Sequence, residues 1–159
     1  MKIAAVDLGT NAFRVLIQEK HRKSYSNILK YREIVGLGKY LYDNELRLPK
    51  KYYSALNKIF LLLKKYNVEK VKIVGTSVFR DAANKQQIKS EFFSKWKYKL
   101  NIVSSKIEAE LTAKGAISKF TKKNKYLVVD IGGGSTELVL VRGDTIYSYI
   151  SLDIGVVKM

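Results

Sequence analysis

Cysteine is absent from the 159-residue chain, and histidine and proline occur once each. Without thiols there are no disulfides and no thiolate metal sites, and His21 alone cannot found an imidazole cluster. A reducing, intracellular setting is compatible with that composition. Long apolar runs are missing as well. The opening MKIAAVDLG offers four apolar residues between Lys2 and Asp7, too few for the core of a signal peptide or a membrane span. The reading is a cytoplasmic protein with no membrane contact. Acidic residues are scarce: fourteen Asp and Glu face thirty Lys and Arg, a formal charge of +16. Such a field attracts polyanions and repels cationic partners, so nucleic acid, anionic lipid and polyphosphate are all admitted by it.

What is present is organised. The basic residues are spread through KKYYSALNKIFLLLKKYN, KSEFFSKWKYK and KFTKKNK instead of forming one block, which also suits ordinary solvated helix faces. The length suffices for one ordinary domain, burying roughly 70% of the surface its unfolded form exposes. Apolar and β-branched runs predict strands over 2–7, 13–19, 26–36, 70–76, 100–104, 126–131, 137–141 and 145–151. Pro49 opens the clearest helical pattern, with Tyr53, Leu56, Ile59, Phe60 and Leu63 recurring at spacings of three and four. Further helices are predicted over about 82–98 and 106–122. Strands alternating with helices in this order predict an α/β layered domain with a mixed sheet.

The stretch VVDIGGGSTELVLV, residues 128–141, places three glycines between two β-branched runs. A tight hairpin needs one or two glycines, so a third implies that something approaches bare backbone. Laid over the start of the chain, VVDIGGGSTELVL matches AVDLGTNAFRVLI, with aspartate on aspartate (Asp130 on Asp7) and glycine on glycine. Each copy ends a strand in a carboxylate and follows it with a glycine-containing turn bearing hydroxyl or amide side chains. Backbone N–H groups in such turns form a concavity for phosphate, and the adjacent carboxylate can hold a divalent metal bridging phosphate oxygens. Two such hairpins facing each other would clamp a phosphate.

With these motifs the chain resembles the exopolyphosphatase and guanosine pentaphosphate phosphohydrolase (Ppx/GppA) family, within the actin-like ATPase (sugar kinase, Hsp70, actin) superfamily. The resemblance is carried by AAVDLGTNAFRVLI, GTSVFRDAAN, VSSKIEAELTAKGA, VVDIGGGSTELV and SLDIGVVKM, and more weakly by REIVGLGKYL. It implies a ribonuclease H-like domain with a mixed five-stranded sheet over 1–123, then the first strands of a second, incomplete domain of the same type over 124–159. It implies that Glu108 activates water and that Arg80 contacts substrate phosphates. Thr10, Asn11, Arg14, Gly132, Gly133, Gly134, Ser135 and Thr136 fall on phosphate-binding positions. Asp130 and Glu137 fall on carboxylates that hold Mg2+, with Asp7 near the metal. The activity implied is Mg2+-dependent hydrolysis of inorganic polyphosphate or guanosine pentaphosphate. The chemistry is coherent: phosphoanhydride hydrolysis needs a positioned water, a base, and positive charge on the transferring oxygens.

Plainer readings exist for the same residues. Ser105 to Glu108 has the pattern of a capping box. Arg80 could pair with Asp81 at a helix start, Glu137 could face solvent, and Asp7 and Asp130 could be turn formers. Within the motifs, Ala12 stands where relatives carry a hydroxyl, Ser105 where they carry glycine, and Lys106 and Ile107 where they carry acids. Charge alone suggests nucleic acid, but no aromatic-glycine strand motif or basic recognition helix supports it. A ribonuclease H-like nuclease shares the topology, yet KVKIVGTS and the helix after Pro49 offer no further carboxylate for its metal cluster. A catalytically inactive phosphate- or polyphosphate-binding fragment is the alternative to an enzyme. Residues 124–159 would form an incomplete sheet with an apolar face, open to self-association as a homo-oligomer.

Overall fold

The structure, a computed structural model, describes residues 1–22 and 24–157. It contains two main sheets. The first has five strands in the order β3-β2-β1-β6-β7, formed by Lys2–Leu8 (β1), Ala12–Lys20 (β2), Tyr25–Ile34 (β3), Lys70–Gly75 (β6) and Asn101–Ile102 (β7). β1, β2 and β3 are antiparallel neighbours, whereas β6 lies parallel to β1 and β7 parallel to β6. This is the mixed sheet expected. The second has three antiparallel strands, Lys125–Ile131 (β8), Thr136–Arg142 (β9) and Thr145–Leu152 (β10). Lys158 and Met159, the end of the SLDIGVVKM motif, lie outside the described residues.

One face of the first sheet is covered by helices α1 (Lys50–Lys65) and α3 (Lys85–Trp96). Strand alternation sends Val6, Leu8, Phe13, Val15 and Ile17 to that face, where they meet Tyr52, Leu56, Ile59 and Phe92. Each fully buried side chain of this size contributes roughly 1.5–3 kcal/mol. Pro49 occupies the cap position just before α1, and the buried stripe is Tyr52, Ala55, Leu56, Ile59 and Leu63. Tyr53 and Phe60, expected in the stripe, lie at its edge and stack with Trp96.

The helix expected over 82–98 is α3, and the short helix before it was not expected. A short α2 (Ser77–Asp81) precedes α3, and Ala82 between them is extended. A 3-10 turn at Leu37–Tyr40 and a small hairpin, Leu41–Tyr42 (β4) with Glu45–Leu46 (β5), also lack a sequence signal strong enough to have been predicted.

Helix α4 (Ser105–Ala116) precedes the second sheet in sequence and packs with it: Ala109 and Ala113 bury against Val139 and Val141, with Val128 and Tyr126 alongside. In sequence the first sheet ends at β7 and the second begins at β8, and α4 between them joins the second sheet's core. The opposite face of that sheet is bare, with Leu127, Val129 and Ile131 exposed. No helix among the described residues is long and apolar enough to cross a membrane.

Candidate active site

Both copies of the repeated motif form the same turn. Gly9 N–H donates to Ala12 O at 3.1 Å, and Gly132 N–H donates to Ser135 O at 2.9 Å. The two turns converge. A Cβ on Gly133 would stand 2.9 Å from the Asn11 nitrogen, and one on Gly134 would stand 2.4 Å from Ser77 Oγ and 3.0 Å from Thr10 Oγ1. The bareness of the second turn therefore admits the close approach of the first. Among the described residues no acceptor is bonded by the amides of Thr10, Asn11, Gly133 or Gly134. A cavity of about 270 Å³ opens beside the turns, lined by both of them and by Asp7, Arg14, Glu108, Thr112 and Asp130.

Neighbouring segments brace the turns. Val35 and Gly36 donate to Asn11 O and Gly38 to Thr10 O, which gives the REIVGLGKYL stretch a supporting role. Val156 and Val157 donate to Gly132 O and Gly133 O in the same way. Thr10 is buried, and its hydroxyl accepts a bond of 3.2 Å from Val78 N–H, so a residue distant in sequence satisfies an amide in the first turn of α2.

Carboxylates gather around the cavity although the chain as a whole is strongly basic. Asp7 and Arg14 face each other across β1 and β2, and Arg14 Nη1 donates to Asp7 Oδ2 at 3.1 Å. The other oxygen, Asp7 Oδ1, is buried without a hydrogen-bond partner. Burial raises the Asp7 pKa above its ordinary value; Arg14 opposes this and the nearby Asp130 adds to it. Asp130 accepts from Thr112 Oγ1 at 3.3 Å.

Glu108 sits in the first turn of α4. The helix is capped by Ser104, whose Oγ accepts from Ile107 N–H at 3.3 Å. This corrects the capping-box reading: the cap is one residue earlier, which leaves the Glu108 carboxylate available for a tertiary partner. That partner is Arg80, which donates to Glu108 Oε2 at 2.7 Å and to Val103 O at 3.1 Å. The Arg80–Glu108 pair is largely shielded, at 23% and 17% side-chain exposure. Burial pushes the Glu108 pKa above its ordinary value; Arg80 opposes the shift, and Glu137 and Asp7 reinforce it. Desolvation outweighs the guanidinium, leaving a carboxylate with raised basicity.

Most predicted site residues meet here. Thr10, Asn11, Arg14, Gly132, Gly133, Gly134 and Ser135 line the cavity with Asp7, Asp130 and Glu108. Arg80 stands behind Glu108. Thr136 turns elsewhere, its Oγ1 donating to Ile154 O at 2.7 Å. Glu137 pairs with Asp130 across β8 and β9, but it is only 2% exposed and accepts from Ser151 Oγ at 3.0 Å, which corrects the reading that it faces solvent. Thr112, missed in the sequence, was findable: it lies four residues after Glu108, on the same face of α4. Ser77 and Val103 carry no such signal, because only tertiary packing brings them to the cavity.

A comparison with known families decides the matter of kinship: the model of the Ppx/GppA phosphatase family matches residues 16–159. The chain belongs to that family. Among its relatives, a bifunctional 3-dehydroquinate synthase/phosphatase of Fusobacterium nucleatum is 36% identical over 98% of this chain and 25% of its own length. Exopolyphosphatase 2 of Mycobacterium tuberculosis is 31% identical, over 99% of this chain and 53% of its own. The crystal structure of an exopolyphosphatase from Cytophaga hutchinsonii superimposes with a TM-score of 0.89 at 26% identity, covering 98% of this chain and 51% of that one. The chain therefore spans about half, or less, of the proteins it matches. The Ppx/GppA chain shares its ribonuclease H-like, actin-like ATPase fold with an MreB5 of Spiroplasma citri, at a TM-score of 0.50.

Proposed function

We propose that this chain carries the water-activating part of a phosphoanhydride hydrolase that releases terminal phosphate from inorganic polyphosphate. The observation that carries the reading is the shielded Glu108 carboxylate, held through Oε2 by Arg80 and opening on the cavity between two glycine turns. Kinship with exopolyphosphatases supports the substrate class.

In this reading the terminal phosphoryl group rests against the free amides of the two turns and against Arg14. A guanidinium holds two phosphate oxygens where an ammonium would hold one. Glu108 Oε1, without a partner among the described residues, accepts a proton from a water molecule as the water's oxygen attacks the terminal phosphorus. The bond to the bridging oxygen breaks, and the shortened chain leaves with the electron pair. Arg80 fixes the carboxylate's direction.

The site's chemistry fits a divalent cation. Asp7 Oδ1 is buried and unpartnered, and Asp130 faces the same cavity. Among the described residues no group of three such ligands is assembled. Two carboxylates nonetheless suit Mg2+, which ordinarily takes one or two and completes its shell with water and substrate phosphate. Asp7 and Asp130 would hold it, with Glu137 behind Asp130. When bound, such an ion neutralises phosphate charge.

The test is Glu108→Gln. Phosphate release from polyphosphate should fall by roughly 10²–10⁴-fold while binding by calorimetry is nearly kept; an unchanged rate would reject the assignment. A second reading is polyphosphate binding without turnover. Binding with no phosphate release in the unmutated chain would select it. Guanosine pentaphosphate is the competing substrate, separated by the same release assay.

A further inference from the structure

Helix α4 sends two polar side chains toward the cavity from neighbouring turns. Glu108 is one, and Thr112, four residues later on the same face, is the other. Their Cα atoms lie about 6 Å apart along the helix axis. On the adjoining face Ala109 and Ala113 are fully buried against Val139 and Val141. Side chains this small bring the helix backbone close to the second sheet, so that one as short as threonine spans the gap. Thr112 Oγ1 donates to Asp130 Oδ2 at 3.3 Å, and among the described residues no other donor bonds that carboxylate.

A mid-helix threonine commonly bonds back to the carbonyl four residues earlier, which here belongs to Glu108. Thr112 gives its one hydroxyl proton to Asp130 instead. Branching at Cβ restricts its rotamers, so the hydroxyl's direction is set by the backbone that also carries Glu108. Asp130 needs such a hold. Glu137 stands opposite it across β8 and β9, and Asp7 lies near enough for the two charges to repel. We propose that Thr112 is a positioning residue: it aims Asp130 at the divalent cation, and so ties the cation's place to the Glu108 carboxylate one turn away. Thr112 has this role on the reading that Asp7 and Asp130 hold the cation. Asp130 Oδ2 is engaged and Oδ1 is left for the ion, and loss of a partner that orients a ligating carboxylate costs roughly 10–100-fold in metal affinity. At 3.3 Å the bond is long for a hydroxyl donor, so its effect falls on direction and little on stability.

The experiment titrates Mn2+ into the whole chain without substrate and follows the free ion by electron paramagnetic resonance. Thr112→Val keeps the side chain's shape and removes the donor, Thr112→Ser keeps the donor, and Asp130→Asn removes the ligand. Thr112→Val should bind Mn2+ roughly tenfold or more weakly. Thr112→Ser should stay close to the parent, and Asp130→Asn should lose at least as much as the valine variant. Parent-like affinity in Thr112→Val beside a loss in Asp130→Asn would overturn the role of Thr112 and leave the cation reading standing. A serine variant as weak as the valine one would do the same, as would a loss that appears only together with the valine variant's helical circular dichroism. Parent-like affinity in Asp130→Asn, or no saturable Mn2+ binding by the parent, would overturn both.

Discussion

The hairpins β1–β2 and β8–β9 share sequence pattern, register and turn, yet they are covered on opposite faces. In the first, the side facing α1 and α3 carries Val6, Leu8, Phe13, Val15 and Ile17, all buried. The same positions in the second are Val129, Ile131, Thr136, Leu138 and Leu140, and there Val129 and Ile131 are 52% and 64% exposed. The face bearing the conserved-in-repeat aspartate is reversed likewise: open beside Asp7, covered by α4 beside Asp130. One substitution accompanies the inversion. Across the strands Asp7 meets Arg14, whereas Asp130 meets Glu137. An ion pair tolerates the half-open face, while the buried acid needs the Ser151 hydroxyl. Period-two alternation separates two faces of a strand, but what lies against each is decided by the rest of the chain.

The inversion can be broken most sharply by truncation. Leu8→Ala should cost about 2–5 kcal/mol by urea unfolding, whereas its counterpart Ile131→Ala should cost less than about 1 kcal/mol. Equal losses would mean that the second sheet's outer face is covered in solution. Turn convergence gives a smaller effect. Gly155→Ala places a Cβ 2.6 Å from the Gly133 carbonyl, backbone that cannot yield, and should destabilise by about 1–3 kcal/mol. Gly115→Ala, in α4 with open space around it, should instead stabilise by about 0.5–1 kcal/mol. Calorimetric melting of the two variants checks both signs.

The acids of the cavity give the smallest signal. Asp7 and Glu108 have native pKa values above 3.8 and 4.5, so the folded chain holds their protons more tightly than the unfolded one. Their ionisation opposes folding at neutral pH, and that opposition is relieved as pH falls through the raised native values. The double variant Asp7→Asn/Glu108→Gln should therefore melt higher than the parent at pH 7, with the gap closing on acidification. A gap that widens would show that the arginines dominate. For turnover the sign is opposite: a base must be ionised, so activity should fall on acidification at a pH above 4.5.

Much of the fold was legible in the chain. β-branched runs located the strands of both sheets within a few residues, because all but the two-residue β7, found through the apolar run around it, are long. Two-residue strands such as β4 and β5, and the five-residue α2, are shorter than any period that could reveal them. Of the candidate site, the repeated aspartate–glycine turns and Glu108 pointed to one cavity. The partners did not follow from sequence: Ser104 and Ser105 are equally good caps, and which one acts decides whether Glu108 folds back on its own helix or reaches Arg80. The destination of Thr136, and the burial of Glu137, depended on Ile154 and Ser151, which no local pattern ties to them.

The hydroxyl of Thr10 has a mechanical meaning beyond satisfying an amide. It fastens the first turn to α2, which is only five residues long and carries Arg80 in its last turn. From the first turn to the Glu108 carboxylate there are thus two hydrogen bonds and one short helix. The position of the first turn and the direction of the carboxylate are therefore set by one connected set of contacts.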